Sequence, residues 1–206
     1  MFPKSNLFFS VFVLLLGFQS APLAASQTTS PHESISLTVR VYNYAKIESH
    51  TLQRAQKGIS MIIRQAGIEL DWVPCPRNAD EVSEFPACTP ELGPTDLILK
   101  LVPRFDMKKN GFKKNAFGLS LGRNIIISCE RLQDVAKNGE QTCEKILELT
   151  VAHEIGHALL GANSHSSRGI MRLHWGPEDW QKESRQSSFF TEEQVRLIQQ
   201  NQIAQK

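Results

Sequence analysis

The sequence predicts an α+β domain in which strands come first and helices close the chain. Three observations predict it. β-rich runs dominate residues 35 to 129, one amphipathic helix interrupts them, and apolar helical patterning takes over from Cys143. The chain has 206 residues, 41% of them hydrophobic and 21% charged, enough for one ordinary globular core.

Residues 35–44 (ISLTVRVYNY) alternate and read as a first strand. Over 48–66, Leu52, Ala55, Ile59, Ile62 and Ile63 recur at helical spacing, and Gly67 stops the helix. Residues 68–73 form a second strand, followed by a Pro-rich, cysteine-bearing loop through Pro94. Residues 95–102 (TDLILKLV) make a third, ended by Pro103, and 116–121 and 124–129 two more. Helices are expected at 143–160 and 191–203, the last opening with the capping box Thr191-x-x-Gln194. No internal repeat or inter-domain linker is visible, so residues 35–206 read as a single domain.

The first residues read as an export signal. Lys4 supplies a positive start, residues 7–18 an apolar run of about twelve, and Ala21, Ala24, Ala25 and Ser26 small residues suited to cleavage near 24–26. An uncleaved anchor is the rival reading. Residues 27–34 are polar and read as a disordered leader, and no second apolar stretch suits a membrane span, so the mature protein is expected in the periplasm or medium. Net charge is +2, and the one basic run, 108–114 (KKNGFKK), is broken by Asn110 and Gly111, which favours a solvated loop over a nucleic-acid groove. The four cysteines, Cys75, Cys88, Cys129 and Cys143, read in an exported chain as two disulfides. Of three possible pairings the sequence-local one, Cys75–Cys88 with Cys129–Cys143, is favoured; no Cys-x-x-Cys pair points to a structural zinc site instead.

The chemistry lies in His153-Glu154-Ile155-Gly156-His157. On a helix, residues i and i+4 share a face, so both imidazoles can reach one Zn2+ ion, while Glu154 is turned aside, placed to serve as general base towards a metal-activated water. A catalytic zinc site takes three protein ligands and leaves one position open. Gly161 would cap the helix and turn the chain back, which makes His165 the favoured third ligand; His174, Glu178 and Asp179 remain rivals. Met171, in Gly169-Ile170-Met171, suits a packed turn beneath the metal. Trp72, Trp175 and Trp180 read as half-buried packing or as cleft lining, and residues 124–128 as either a sheet edge open to an extended peptide or an interior strand.

With these residues the chain resembles the zincin metallopeptidases and, within them, the metzincin clan, which carries His-Glu-x-x-His-x-x-Gly-x-x-His and a Met-turn. It also looks like a set of exported bacterial proteins bearing HEIGHLLLGxxSHSxxGIM-type segments. The resemblance covers about residues 150–172. It implies a zincin-like fold, with a mixed sheet packed on the active-site helix. It also implies His153, His157 and His165 as zinc ligands, Glu154 as general base, Met171 as the Met-turn residue, and a peptide or protein substrate. The chain departs from the clan in spacing: Gly161 and His165 follow His157 by four and eight residues rather than three and six. Leu173 stands where some members place a Tyr ligand, which leaves Arg172 or His174 as candidate oxyanion partners. The implied activity is that of an exported zinc endopeptidase. The alternative is a zincin-like binding or structural protein that keeps the metal for stability, against which the presence of Glu154 argues.

Overall fold

A computed structural model describes residues 35–106, 116–138, 142–175 and 189–204. The expected signal segment, the polar residues 27–34, the basic run at 108–114, Glu178, Asp179 and Trp180 lie outside the described residues. Among the described residues, five strands and four α-helices follow in the order β1 (Ile35–Asn43), α1 (Ser49–Arg64), β2 (Ile68–Cys75), β3 (Asp96–Val102), β4 (Gly118–Leu121), β5 (Asn124–Ser128), α2 (Cys129–Asn138), α3 (Cys143–Leu160) and α4 (Glu192–Ala204).

The strands form one mixed sheet in the order β2-β1-β3-β5-β4. β1 pairs in parallel with β2 and β3, β3 pairs in parallel with β5, and only β4 runs antiparallel, against β5. Residues 124–128 are thus an interior strand, and the edge beside them is β4, Gly118–Leu121. The continuous apolar run Ile125, Ile126, Ile127 suits a strand paired on both sides.

One sheet face buries Leu37, Val39 and Val41 of β1 and Leu97, Leu99 and Leu101 of β3 under α1 and α3, which pack side by side. Residues of opposite parity, Arg40 and Asp96, point the other way and are also buried. Arg40 Nε donates to Asp96 Oδ2 at 2.8 Å, and its remaining nitrogens donate to the carbonyls of Cys88, Pro90 and Glu91. One guanidinium thereby fastens the cysteine-bearing loop over that part of the sheet, and the Cys75–Cys88 disulfide closes the same loop.

The second expected bridge is absent: Cys129 and Cys143 are free thiols. They open α2 and α3, two helices that pack on each other, and burial keeps the Cys129 thiol protonated, its pKa pushed up to about 12 mainly by desolvation and secondarily by Cys143. Helix α2 itself is an addition to the expected elements. It starts directly where β5 ends and buries Leu132, with Val135 and Ala136 packed on the core at helical spacing.

Candidate metal centre

Helix α3 carries the motif because it is fixed at both ends and packed on several sides. Thr142 caps its start, its Oγ1 accepting from Lys145 N–H at 3.2 Å. Gly161 ends it with φ +97°, a value that favours glycine, and donates its N–H to His157 O at 2.9 Å. Between them Ile146, Leu147, Leu149, Val151, Ala152, Ile155 and Leu159 are buried around the helix, leaving only a narrow strip for His153 and His157.

The chain turns at Gly161 and returns His165 to that strip. Nε2 of His157 lies 3.1 Å from Nε2 of His153 and 3.1 Å from Nε2 of His165. The Nδ1 atoms of the two helix histidines point outwards. His153 Nδ1–H donates to Ile170 O at 2.8 Å, and His157 Nδ1–H to Ser164 Oγ at 3.1 Å and Gly161 O at 3.3 Å. Those partners leave lone pairs on the inward Nε2 atoms of both helix histidines, which repel unless a cation sits among them. Tetrahedral zinc at about 2.05 Å from each nitrogen separates its ligands by about 3.3 Å, close to the separations found here. The three histidines form a cluster whose ligand atoms lie close enough together to hold a metal ion, and His174, exposed on the next turn, is not part of it.

Burial sets the electrostatics of the site. It lowers the pKa of His153 to about 4, helped by neighbouring His157 and His165 and opposed by the bond to Ile170 O, and it lowers that of His157. Both imidazoles are therefore neutral, the form that ligates metal. Burial raises Glu154 to about 8, a value to which a cation in the site would be opposed. Glu154 lies against β4: a Cβ added at Gly118 would stand 3.1 Å from Glu154 Cγ and 2.6 Å from Ile127 Cδ1, so glycine there makes room for the carboxylate's stem.

Met171 is fully buried beneath the helix, and its sulfur would stand 2.2 Å from a Cβ at Gly156. The glycine inside the motif is thus the gap that admits the Met-turn. Leu173 is exposed, and the Arg172 guanidinium lies 4.7 Å from the Trp175 ring. Trp72 is half-buried and donates Nε1–H to Ser60 Oγ, a packing role. Sequence reasoning missed Ser164 and the carbonyl of Ile170, which orient the ligands; their nearness to His165 and Met171 in the chain was the available signal. A groove of about 760 Å³ opens beside His165, between the 161–168 turn and α4.

No family model and no curated protein matches the chain. Among solved structures, archaemetzincin from Methanopyrus kandleri is similar at 17% identity and a TM-score of 0.53, over 85% of this chain and 99% of that one. A zinc-dependent peptidase from Methanocorpusculum labreanum is similar at 14% identity and a TM-score of 0.52, over 78% and 99% of the two chains. The chain has an archaemetzincin-like fold, and its His153, His157 and His165 triad is consistent with the metzincin His-Glu-x-x-His…His arrangement.

Proposed function

We propose that this chain is an exported zinc-dependent peptidase that hydrolyses peptide bonds, with His153, His157 and His165 as zinc ligands and Glu154 as general base. The observation that carries the reading is the convergence of three imidazole Nε2 atoms next to a buried carboxylate, on a fold shared with a zinc-dependent peptidase. Zinc bound there would supply a Lewis acid that polarises the scissile carbonyl and makes a water acidic near neutral pH. The chain's own residues do the rest. Ile170 O and Ser164 Oγ fix the ring orientations, and Glu154 takes a proton from the attacking water and returns it to the leaving amine. β4 forms the sheet edge beside Glu154, so an extended peptide pairing with it would lie across the site.

The test is peptide hydrolysis by the zinc-loaded mature protein and its Glu154→Ala variant, against a mixed peptide library read by mass spectrometry. Cleavage that falls at least about a hundredfold in the variant, with zinc content unchanged, supports the assignment. Equal cleavage by a zinc-replete variant refutes Glu154 as the base. A parent that binds zinc and cleaves nothing favours the binding-protein alternative.

A further inference from the structure

We propose that Gln194, on the C-terminal helix, is a positioning residue that holds the turn carrying the third ligand, so that docking of α4 completes the metal centre. The inference rests on the metal-site reading above and extends it to a residue thirty positions from the turn.

Gln194 is 6% exposed although its side chain is polar, so its hydrogen bonds must be made within the protein. Its Oε1 accepts from Thr191 N–H at 3.0 Å, and its own N–H donates to Thr191 Oγ1 at 3.3 Å, the two halves of the capping box. The amide nitrogen faces away from the helix. Nε2 donates to Ser164 O at 3.3 Å and to Ser166 Oγ at 3.1 Å, the two residues that flank His165. One side chain thus starts α4 and grips the turn on both sides of the ligand.

The turn needs such a grip. His165 is exposed, and it stands eight residues after His157 where the metzincin pattern has six. On its other side the turn is tied to the Met-turn, by Ser166 N–H to Met171 O at 2.9 Å. Gln194 supplies the opposing tie. A ligand held in place before metal arrives binds more tightly, and loss of one such outer contact costs about 10–100-fold in metal affinity.

The capping and gripping roles separate by substitution. Gln194→Glu keeps the acceptor for Thr191 N–H but turns acceptor oxygens towards Ser164 O. Thr191→Ala removes the cap hydroxyl and leaves the grip. Zinc affinity is read by competition with a chromophoric chelator at pH 8, alongside thermal melts of the metal-free proteins. Q194E should lose about 10–100-fold in affinity, and T191A less than about threefold despite a lower melting temperature. In a His165→Ala background Q194E should change affinity by less than about threefold, an independence that a merely structural role would not produce. Parent-like affinity in Q194E, or an equal loss with and without His165, overturns the proposal. Should Q194E fail to fold, Ser166→Ala carries the test: a loss of about three- to tenfold supports the grip, and parent-like affinity overturns it. A parent that binds no zinc overturns the metal-site reading itself, and this inference with it.

Discussion

Gly156→Ala tests the packing beneath the histidine cluster, because two effects of known sign compete at that position. Alanine in a helix interior is favoured over glycine by about 1 kcal/mol. Against this, the added Cβ would stand 2.2 Å from Met171 Sδ and 3.0 Å from Phe190 Cε1, with Met171 fully buried and Phe190 8% exposed. A thioether sulfur midway along a buried side chain cannot swing clear without moving its neighbours, and overpacking of this kind costs about 1–3 kcal/mol. The collision prevails, for a net loss of about 1–2 kcal/mol and a fall in melting temperature of about 2–8 °C in a domain of this size. The disturbance also reaches His153, whose Nδ1–H is bonded to the carbonyl of Ile170, the residue before Met171, so zinc affinity should fall about tenfold. Circular-dichroism melts of the metal-free protein and chelator competition supply the two readings. In a Met171→Ala background the same change should be neutral or stabilising by about 1 kcal/mol. A G156A protein that melts at or above the parent temperature, with Met171 intact, refutes the reasoning.

Three further predictions concern the frame of the site. With Cys75–Cys88 bridged and Cys129 and Cys143 free, alkylation of unfolded, unreduced protein should label two cysteines, while Cys129 resists labelling in the native state at pH 8; no labelling after unfolding would mean that a second bridge forms. Because burial raises the folded-state pKa of Cys129 from 9 to about 12, its contribution to stability is fully present below about pH 9 and is lost as pH rises towards 12, and Cys129→Ala should flatten that alkaline slope in urea titrations; an unchanged slope counts against it. Asp96→Ala leaves the buried Arg40 guanidinium without its carboxylate and should cost about 3 kcal/mol in urea unfolding, whereas a cost below about 1 kcal/mol would show the loop carbonyls sufficient to hold Arg40 alone.

Much of this architecture was legible in the chain because local signals agreed with it. Thr142 and Gly161 bracket α3 with cap chemistry, and the observed helix, Cys143–Leu160, has the expected limits. Helix geometry pointed to His153 and His157 as candidate ligands and a glycine turn favoured His165 over its rivals, and the structure brings these three imidazoles together. Helix α2 was hidden because no turn or break separates it from the apolar run of β5, so its first residue, Cys129, read as the end of the strand. The sheet edge stayed undecided between two readings for another reason: strand order depends on long-range pairing, and periodicity within residues 124–128 carries no record of β4. The cysteine pairing rested on proximity in sequence, which held for Cys75–Cys88, where a loop is folded back under Arg40. It did not hold for Cys129 and Cys143, which each open a separate helix. Thr191-x-x-Gln194 was visible as a cap, but its reach to Ser164 and Ser166 is a tertiary contact that no local pattern encodes.

The central claim, that three histidines from a helix and its returning turn hold one zinc ion, is tested most directly by metal content. Mature protein and its His165→Ala variant would be purified under metal-replete conditions and their zinc measured by elemental mass spectrometry. About one zinc per chain in the parent, largely lost in the variant, is the result expected of a three-ligand site. A parent without zinc, or a variant that keeps its full complement, would contradict it.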